Sequence, residues 1–497
     1  MYVYHLLHCF GVMAPNERQF SNHFLLLKPE EASFYDLVRF LLFSDYSETS
    51  GFLDFTESLE ADFWRRWYIF NSLLVQKLLL LYGKPLVLIG NMLELWLNLL
   101  LRNGGFLKLF FKFFTGKVVL PDPSSATFTS VVGCLDGRVE LDKSIRQDDH
   151  IKYNASLAMM ASKLSYENAE FVHTIIRDHW NMEYLGFYNF WNDFRGQPST
   201  QTIMFQDTKN NPNLIVVGFS GTHPFDPIAI GIDVDLSWIE LEGVGNAHSG
   251  FMKALGLQKD KGWPKEIEKR SDPQQQFAYY EIRSKLREIL QKNESAKFII
   301  TGHSLGGALA ILFVTTLAMH EEAWLLEKLE GVYTFGQPRV GNKQFGDYMK
   351  EKLNENDVRY LRYVYCNDLV PRVPYDDDSI FFEHFSPVLY YNVYYNEKVL
   401  WEEPNKNYFS LLWVIPKYLN AVLELIRSFI IPYIKGSDYK ENWLMKMFRV
   451  FGLIIPGLAA HCPQDYVNVT RLGSLPLDLQ NSLGHRNSKV GLPKKSQ

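Results

Sequence analysis

Five residues, Gly302-His303-Ser304-Leu305-Gly306, have the types and spacing to hold a reactive serine. A short apolar, β-branched run, Phe298-Ile299-Ile300, leads into them, and small and apolar residues at helical spacing follow. The stretch therefore reads as strand, tight turn, helix. A serine at such an elbow sits in strained backbone and tolerates no bulky neighbours. Gly302 and Gly306 remove those side chains, and Gly307 lets the helix pack close to the sheet. The Ser304 hydroxyl then stands at a helix N-terminus, whose N–H groups favour developing negative charge. The bland alternative is a glycine-rich turn with an idle serine.

A serine hydroxyl is a poor nucleophile near neutral pH and needs a base, which in turn needs an acid to hold it. Where a G-x-S-x-G elbow carries the nucleophile, acid and then histidine follow in chain order. Three histidines follow the elbow helix: His384, in the apolar, strand-like Phe381-Phe-Glu-His-Phe; His461, just after an apolar run; and His485, in the polar tail. Among the acids, Asp368 follows the strand-like Tyr360–Tyr365 and so sits where open α/β sheets place their sites. Asp376, Asp377 and Asp378 read as a solvated turn, and Asp347 lies in an expected helix. The attack also needs two N–H donors for the oxyanion. Leu305 supplies one, and Ser220-Gly221-Thr222, after another good strand, fits the second.

These residues must be positioned by a sheet. Thr202–Phe205, Leu214–Phe219, Val332–Phe335 and Tyr360–Tyr365 read as strands, with helical patterns between the later ones. That alternation predicts a mainly parallel sheet with helices on both faces. A helix is expected over 31–43, with Phe34, Leu37, Val38, Leu41 and Leu42 on one face. The chain of 497 residues is 47% hydrophobic and 22% charged, enough for a real core, and its net charge of −5 gives a nucleic-acid role no support. Cys9, Cys134, Cys366 and Cys462 are too few and too scattered for a disulfide scaffold or a zinc site. The N-terminus lacks the basic n-region of a secretory signal, so the Asn154, Asn293 and Asn468 sequons are expected to be chance.

Two apolar blocks stand apart. From Phe63 to about 120, long apolar runs carry a Gly83-Lys84-Pro85 break and end in five phenylalanines between 106 and 114. Pro85–Leu101 is marginal for crossing a bilayer, and the flanking cations suit helices lying on or inserted into one lipid face; the alternative is a buried helical subdomain. Over 398–456, Tyr418, Leu419, Val422, Leu423, Leu425, Ile426, Phe429 and Ile430 form one face of a helix whose other face carries Lys417, Asn420, Glu424, Arg427 and Ser428. Pattern alone leaves open whether this helix docks on the sheet or makes a second lipid contact.

Gly302-His-Ser-Leu-Gly-Gly-Ala-Leu-Ala, Thr334-Phe-Gly-Gln-Pro-Arg-Val-Gly and Cys366-Asn-Asp-Leu-Val-Pro-Arg-Val-Pro resemble the class 3 lipases, the fungal triacylglycerol lipase family. Gly221-Thr222 and Ala247-His-Ser-Gly-Phe fit the same pattern. His461-Cys-Pro-Gln-Asp-Tyr-Val-Asn and the apolar flanks are similar to a plant branch, the oil-body lipases. The resemblance implies an α/β-hydrolase fold over 121–474, with Ser304, Asp368 and His461 as triad and Thr222 and Leu305 as oxyanion donors. It implies a lid over about 223–246, hiding Ile228, Ile230, Ile232 and Trp238 until lipid is met; the alternative is an ordinary surface loop with a short strand. Around this core are expected a lipid-associating region at 1–120, the insertion 398–456 and a polar tail at 475–497. The implied activity is hydrolysis of triacylglycerol at a lipid-droplet or membrane surface, on the cytoplasmic face of an oil body or of the endoplasmic reticulum. It needs no cofactor. A phospholipase or galactolipase, and a lipid-surface structural protein with a spent hydrolase domain, are the rival readings.

Overall fold

The strands expected to carry the site lie in one sheet of eight. The computed structural model describes residues 18–43, 51–56, 63–145, 150–257, 262–264, 275–374, 382–408 and 410–473. Cys9, the Asp376–Asp378 turn, His485 and the polar tail lie outside the described residues. The strands are β1 (Glu183–Asn192), β2 (Gln197–Gln206), β3 (Leu214–Phe219), β4 (Lys297–His303), β5 (Leu329–Phe335), β6 (Arg359–Tyr365), β7 (Val388–Tyr391) and β8 (Glu397–Leu400), in spatial order β8-β7-β6-β5-β4-β3-β2-β1. β3 through β7 run parallel, and the outer strands on both sides are antiparallel. This is the sheet of an α/β-hydrolase fold.

Both faces of the central strands are covered, so their sequences read as unbroken apolar runs. Ile215, Val217 and Phe219 pack in one core with Phe298 and Ile300 and with the elbow helix. Leu214 and Val216 face the opposite core with Ile299 and the helix His150–Leu164. Of Phe381–Phe385, expected as strand-like, the described residues 382–385 form no strand; Glu383 makes one isolated bridge to Gly341. Residues 398–400, placed in the insertion by composition, instead belong to the edge strand β8. A second, four-stranded sheet joins Phe24–Leu27, Leu53–Phe55, Trp238–Leu241 and Gly245–His248. The second half of the stretch 223–246 is thus paired backbone rather than free loop.

The N-terminal helix α1 (Phe34–Leu42) is capped by Ser33 and Asp36, as its sequence allows. It buries Leu37 and Phe40, while Phe34, Val38 and Leu42 are exposed, so the inward face is turned from the one expected. Those two side chains meet Ile69 and Leu73 of α2 (Phe63–Asn103) in one cluster. α2 runs without interruption through Gly83-Lys84-Pro85, where a break was expected. Pro85 forgoes one backbone hydrogen bond, and the apolar runs on either side are long enough to carry the helix past it. At 41 residues α2 is about 60 Å long, twice a hydrocarbon core. Protein is bonded along much of that length: Ser72 Oγ donates to Val234 O at 2.7 Å, and Asn98 Nδ2 to Thr129 O at 2.8 Å. The far end follows suit, with Asn103 Nδ2 donating to Val119 O at 2.8 Å. α3 (Phe106–Phe114) follows and buries none of its residues.

The helix α4 (Pro227–Val234) lies against α2. Its N-cap Asp226 accepts from the N–H groups of Ile228 and Ala229 at 3.1 Å each and is paired with Arg195 at 2.5 Å. Gly83 and Gly90 of α2 make room for this segment. A Cβ on Gly90 would lie 2.6 Å from Phe225 Cβ, and one on Gly83 would lie 3.1 Å from Pro227.

In the insertion, pattern leaves the inward face open. Its main helix α5 (Val414–Lys435) does dock on the body, but by its charged face. Lys417, Glu424, Arg427 and Ser428 are buried, whereas Leu419, Val422, Ile426, Phe429 and Ile430 are exposed. The following helix α6 (Trp443–Phe451) buries Met445 and Arg449 and exposes Trp443, Met447, Val450 and Phe451.

Candidate active site

Ser304 stands between β4 and the elbow helix α7 (Leu305–Met319) at φ 58°, ψ −132°. A positive φ in a residue with a side chain costs on the order of 1–3 kcal/mol, so surrounding contacts must impose it. They do: the Ser304 N–H donates to Phe335 O on β5, and the Gly307 N–H to Ser304 O, both at 2.9 Å. The glycines are required by close approach. A Cβ on Gly302 would lie 2.1 Å from the Gly306 backbone, and one on Gly306 would lie 2.3 Å from Phe219 O. Ser304 itself is buried beneath the surface.

Two strands away, β6 ends and Asp368 turns inward, with its N–H donating to Tyr365 O at 3.0 Å. Its carboxylate is fully buried. It faces His461 Nδ1 with both oxygens, at 2.9 Å and 2.8 Å. It also accepts from the Val370 N–H at 2.9 Å and from the Tyr466 hydroxyl at 2.5 Å. His461 comes from the turn Ala459–His461 that opens the last helix, α8 (Pro463–Leu472), which also carries Tyr466. An imidazole whose Nδ1 donates to a carboxylate has its Nε2 lone pair free to take a proton.

His303, the residue before Ser304, ties the elbow to this pair. Its Nε2 donates to His461 O at 2.9 Å, its Nδ1 accepts from the Tyr166 hydroxyl at 2.8 Å, and its ring lies 4.5 Å from that of His461. Burial, reinforced by His461, holds the His303 pKa well below the ordinary histidine value, so it stays neutral and keeps this donor and acceptor arrangement.

Ser220-Gly221-Thr222 follows β3, and Leu305 begins α7, on the same side of the sheet. Ser220, Gly221 and Leu305 line a small cavity roofed by Ala229 and Ile232 of α4. The Thr222 hydroxyl is already engaged: it donates to Asp233 Oδ2 of α4 at 2.7 Å. Burial raises the Asp233 carboxyl to about 7, against the lowering effect of that hydrogen bond. Of the expected lid residues, Ile232 is buried, Ile228 and Ile230 are half-buried, and Trp238 lies in the small sheet.

His384 is brought elsewhere. Its Nε2 donates to Pro371 O at 2.8 Å beside Glu403, and burial and then Arg362 pull its pKa down to about 3. Asp347 is an exposed partner of Lys343 and Lys350. Among the described residues no cluster of histidine, cysteine and acid side chains could hold a metal ion. Tyr166, Asp233 and Tyr466 were not singled out from the sequence. The signal for Tyr466 was present in the Asp465-Tyr466 that follows His461. Asp233 was visible only as one acid in an alternating stretch, and Tyr166 had no signal.

Comparison with known proteins shows what the chain is similar to. The family profile described as Lipase (class 3) matches residues 216–378. A protein of Nicotiana tabacum named triacylglycerol lipase OBL1 is 39% identical over 91% of this chain and 95% of its own length. A protein of Arabidopsis thaliana with the same name is 40% identical over 92% of this chain and 96% of its own. Among solved structures, lipase II from Rhizopus niveus overlaps 49% of this chain and 80% of its own at 22% identity, with a TM-score of 0.35.

Proposed function

The chain belongs to the class 3 lipase family, and from that premise we propose that it is a triacylglycerol lipase acting at a lipid surface, with Ser304, Asp368 and His461 as its catalytic residues. The observation that carries this reading is the strained Ser304, whose neighbour His303 bonds the main chain of a histidine, His461, that is held by the buried Asp368 carboxylate. His461 Nε2 takes the Ser304 proton as Oγ attacks an ester carbonyl. Asp368 holds the imidazole in the required tautomer and stabilises it when charged. The N–H groups of Leu305 and Thr222 bind the tetrahedral oxyanion, each worth about 3–4 kcal/mol in comparable sites. The alcohol leaves with the proton from His461. Water, activated in the same way, then frees the fatty acid and restores Ser304.

In this reading the lid is the stretch from His223 to about Leu236, because Trp238 onward is paired in the small sheet. The Arg195–Asp226 pair and the α2 surface hold it closed in water. The surface proposed is that of a neutral-lipid droplet, supported by the exposed apolar helices α2 and α3 and by the likeness to the proteins named above.

The test is a rate comparison of purified Ser304→Ala and wild type on emulsions of triacylglycerol, diacylglycerol and phospholipid. Wild type is expected to be fastest on triacylglycerol, and the variant to fold, float with lipid and hydrolyse nothing. Wild-type turnover by Ser304→Ala would end the nucleophile assignment. A higher rate on phospholipid would move the substrate.

A further inference from the structure

We propose that the exposed apolar face of α5 and α6 is a second lipid-docking surface, taking the phospholipid monolayer that covers a neutral-oil droplet. The proposal deepens the lipase reading and rests on it. An ordinary amphipathic helix on a soluble protein turns its apolar stripe to the core. Here the arrangement is reversed, and the reversal is held by bonds. Arg427 on the buried face donates to Asp465 Oδ1 at 2.8 Å and to the Tyr365 hydroxyl at 2.5 Å. Arg449 of α6 donates to Glu441 at 2.6 Å and to Asp465 at 3.0 Å. Rotating α5 to hide its apolar face would pull Arg427 away from Asp465 and the Tyr365 hydroxyl and leave those buried groups short of a partner. The apolar face is therefore fixed outward, with Leu419 58% and Phe429 54% exposed. Among the described residues nothing covers it.

Three observations select lipid as the occupant. Because α5 is bonded to the body along its polar face, only its outer side chains can enter a second phase. That matches a helix lying in an interface, sunk about 5–10 Å, and not one crossing it. The rim of the face carries the residues suited to headgroups: Trp413 and Trp443, with Lys435 and Lys440 exposed nearby. The face also borders the site. Leu444 and Phe448 of α6 pack in one cluster with Cys462, next to His461, and with Phe225, at the root of the lid. Since Phe225 also lies against Gly90 of α2, the lid root is held between two helices that both present apolar side chains outward.

The contact is read directly by an environment-sensitive fluorophore on Ile430→Cys in full-length protein carrying Cys9→Ser, since Cys134, Cys366 and Cys462 are buried. On triolein droplets coated with phosphatidylcholine, the emission at position 430 is expected to shift to the blue and to be quenched by spin-labelled phospholipid. A label on Glu355→Cys, exposed on a distant helix, should not respond. Leu419→Asp/Phe429→Asp should float at least threefold less and keep turnover of a water-soluble butyrate ester within twofold. No shift at 430 on droplets that carry the protein, or a double variant that floats as wild type does, overturns the proposal. So does a wild-type dimer in light scattering that the double variant dissociates, because a second copy then covers the face. A shift at 430 in a protein that hydrolyses no acyl ester supports the docking and removes the lipase reading.

Discussion

Asp368 accepts from three directions: imidazole Nδ1–H, the Val370 N–H and the Tyr466 hydroxyl. The last of these holds Oδ2, while the Val370 N–H holds Oδ1. Tyr466→Phe removes one charge-assisted hydrogen bond and leaves the ring in place. It is expected to lower kcat on the order of tenfold, with KM on a soluble ester unchanged. A rise in KM with kcat unchanged would show that substrate binding, not the acid–base pair, was disturbed. A second buried carboxylate acts on stability. Burial raises Glu167 to about 7, against two hydrogen bonds from Ser130. The folded chain thus keeps a proton that the unfolded chain releases near the ordinary value of 4.5. Stability from this group falls as pH rises from about 4.5 to about 7 and is level above that, a change on the order of 1–3 kcal/mol. Glu167→Gln should therefore lose less Tm than wild type between pH 5 and pH 8; parallel curves would sink the assignment. Ser304 was legible from local chemistry, because an elbow needs its glycines in one window. Asp368 was legible as an acid at a strand end, but choosing His461 over His384 needed the family pattern. Tyr166 lies 137 positions before the His303 it contacts, beyond the reach of any local pattern.

The elements show where sequence pattern stops. A helical wheel separates an apolar from a charged face, but it is silent on which face points inward. For α5 the deciding partners are Asp465 and Tyr365, on other elements. α2 differs from its pattern for a related reason: Pro85 is a breaker in water, yet the helix is long and apolar enough on both sides to pass it. The ion cluster behind α5 and α6 gives a strong prediction. Arg449 meets Glu441, Asp465 and Glu424 while fully buried, and Arg449→Met would take the cation from Glu441 and leave Asp465 with Arg427 alone. The cost is expected at about 3–5 kcal/mol, read by chemical denaturation in mild detergent. A loss below 1 kcal/mol would mean the cluster relaxes into water.

Across the whole molecule, the apolar blocks divide into parts that build the core and parts that do not. α2 contributes Ile69 and Leu73 to a buried cluster with α1 and Phe24–Leu27's sheet, so deleting 63–120 should yield insoluble protein. α3 buries nothing. Replacing Phe110, Phe113 and Phe114 by serine should leave stability within about 0.5 kcal/mol and reduce droplet flotation. A large loss of stability would show that α3 packs on the body.

The inward charges of α5 have a consequence for ionic strength. Surface pairs such as Lys343–Asp347 are screened at physiological salt, but Arg427–Asp465 and Arg449–Glu441 are shielded from mobile ions by the protein around them. Their outer cover is hydrocarbon, whose attraction for a lipid phase strengthens with excluded salts such as sulfate. A brine wash that strips charge-bound proteins from droplets should leave this chain in place.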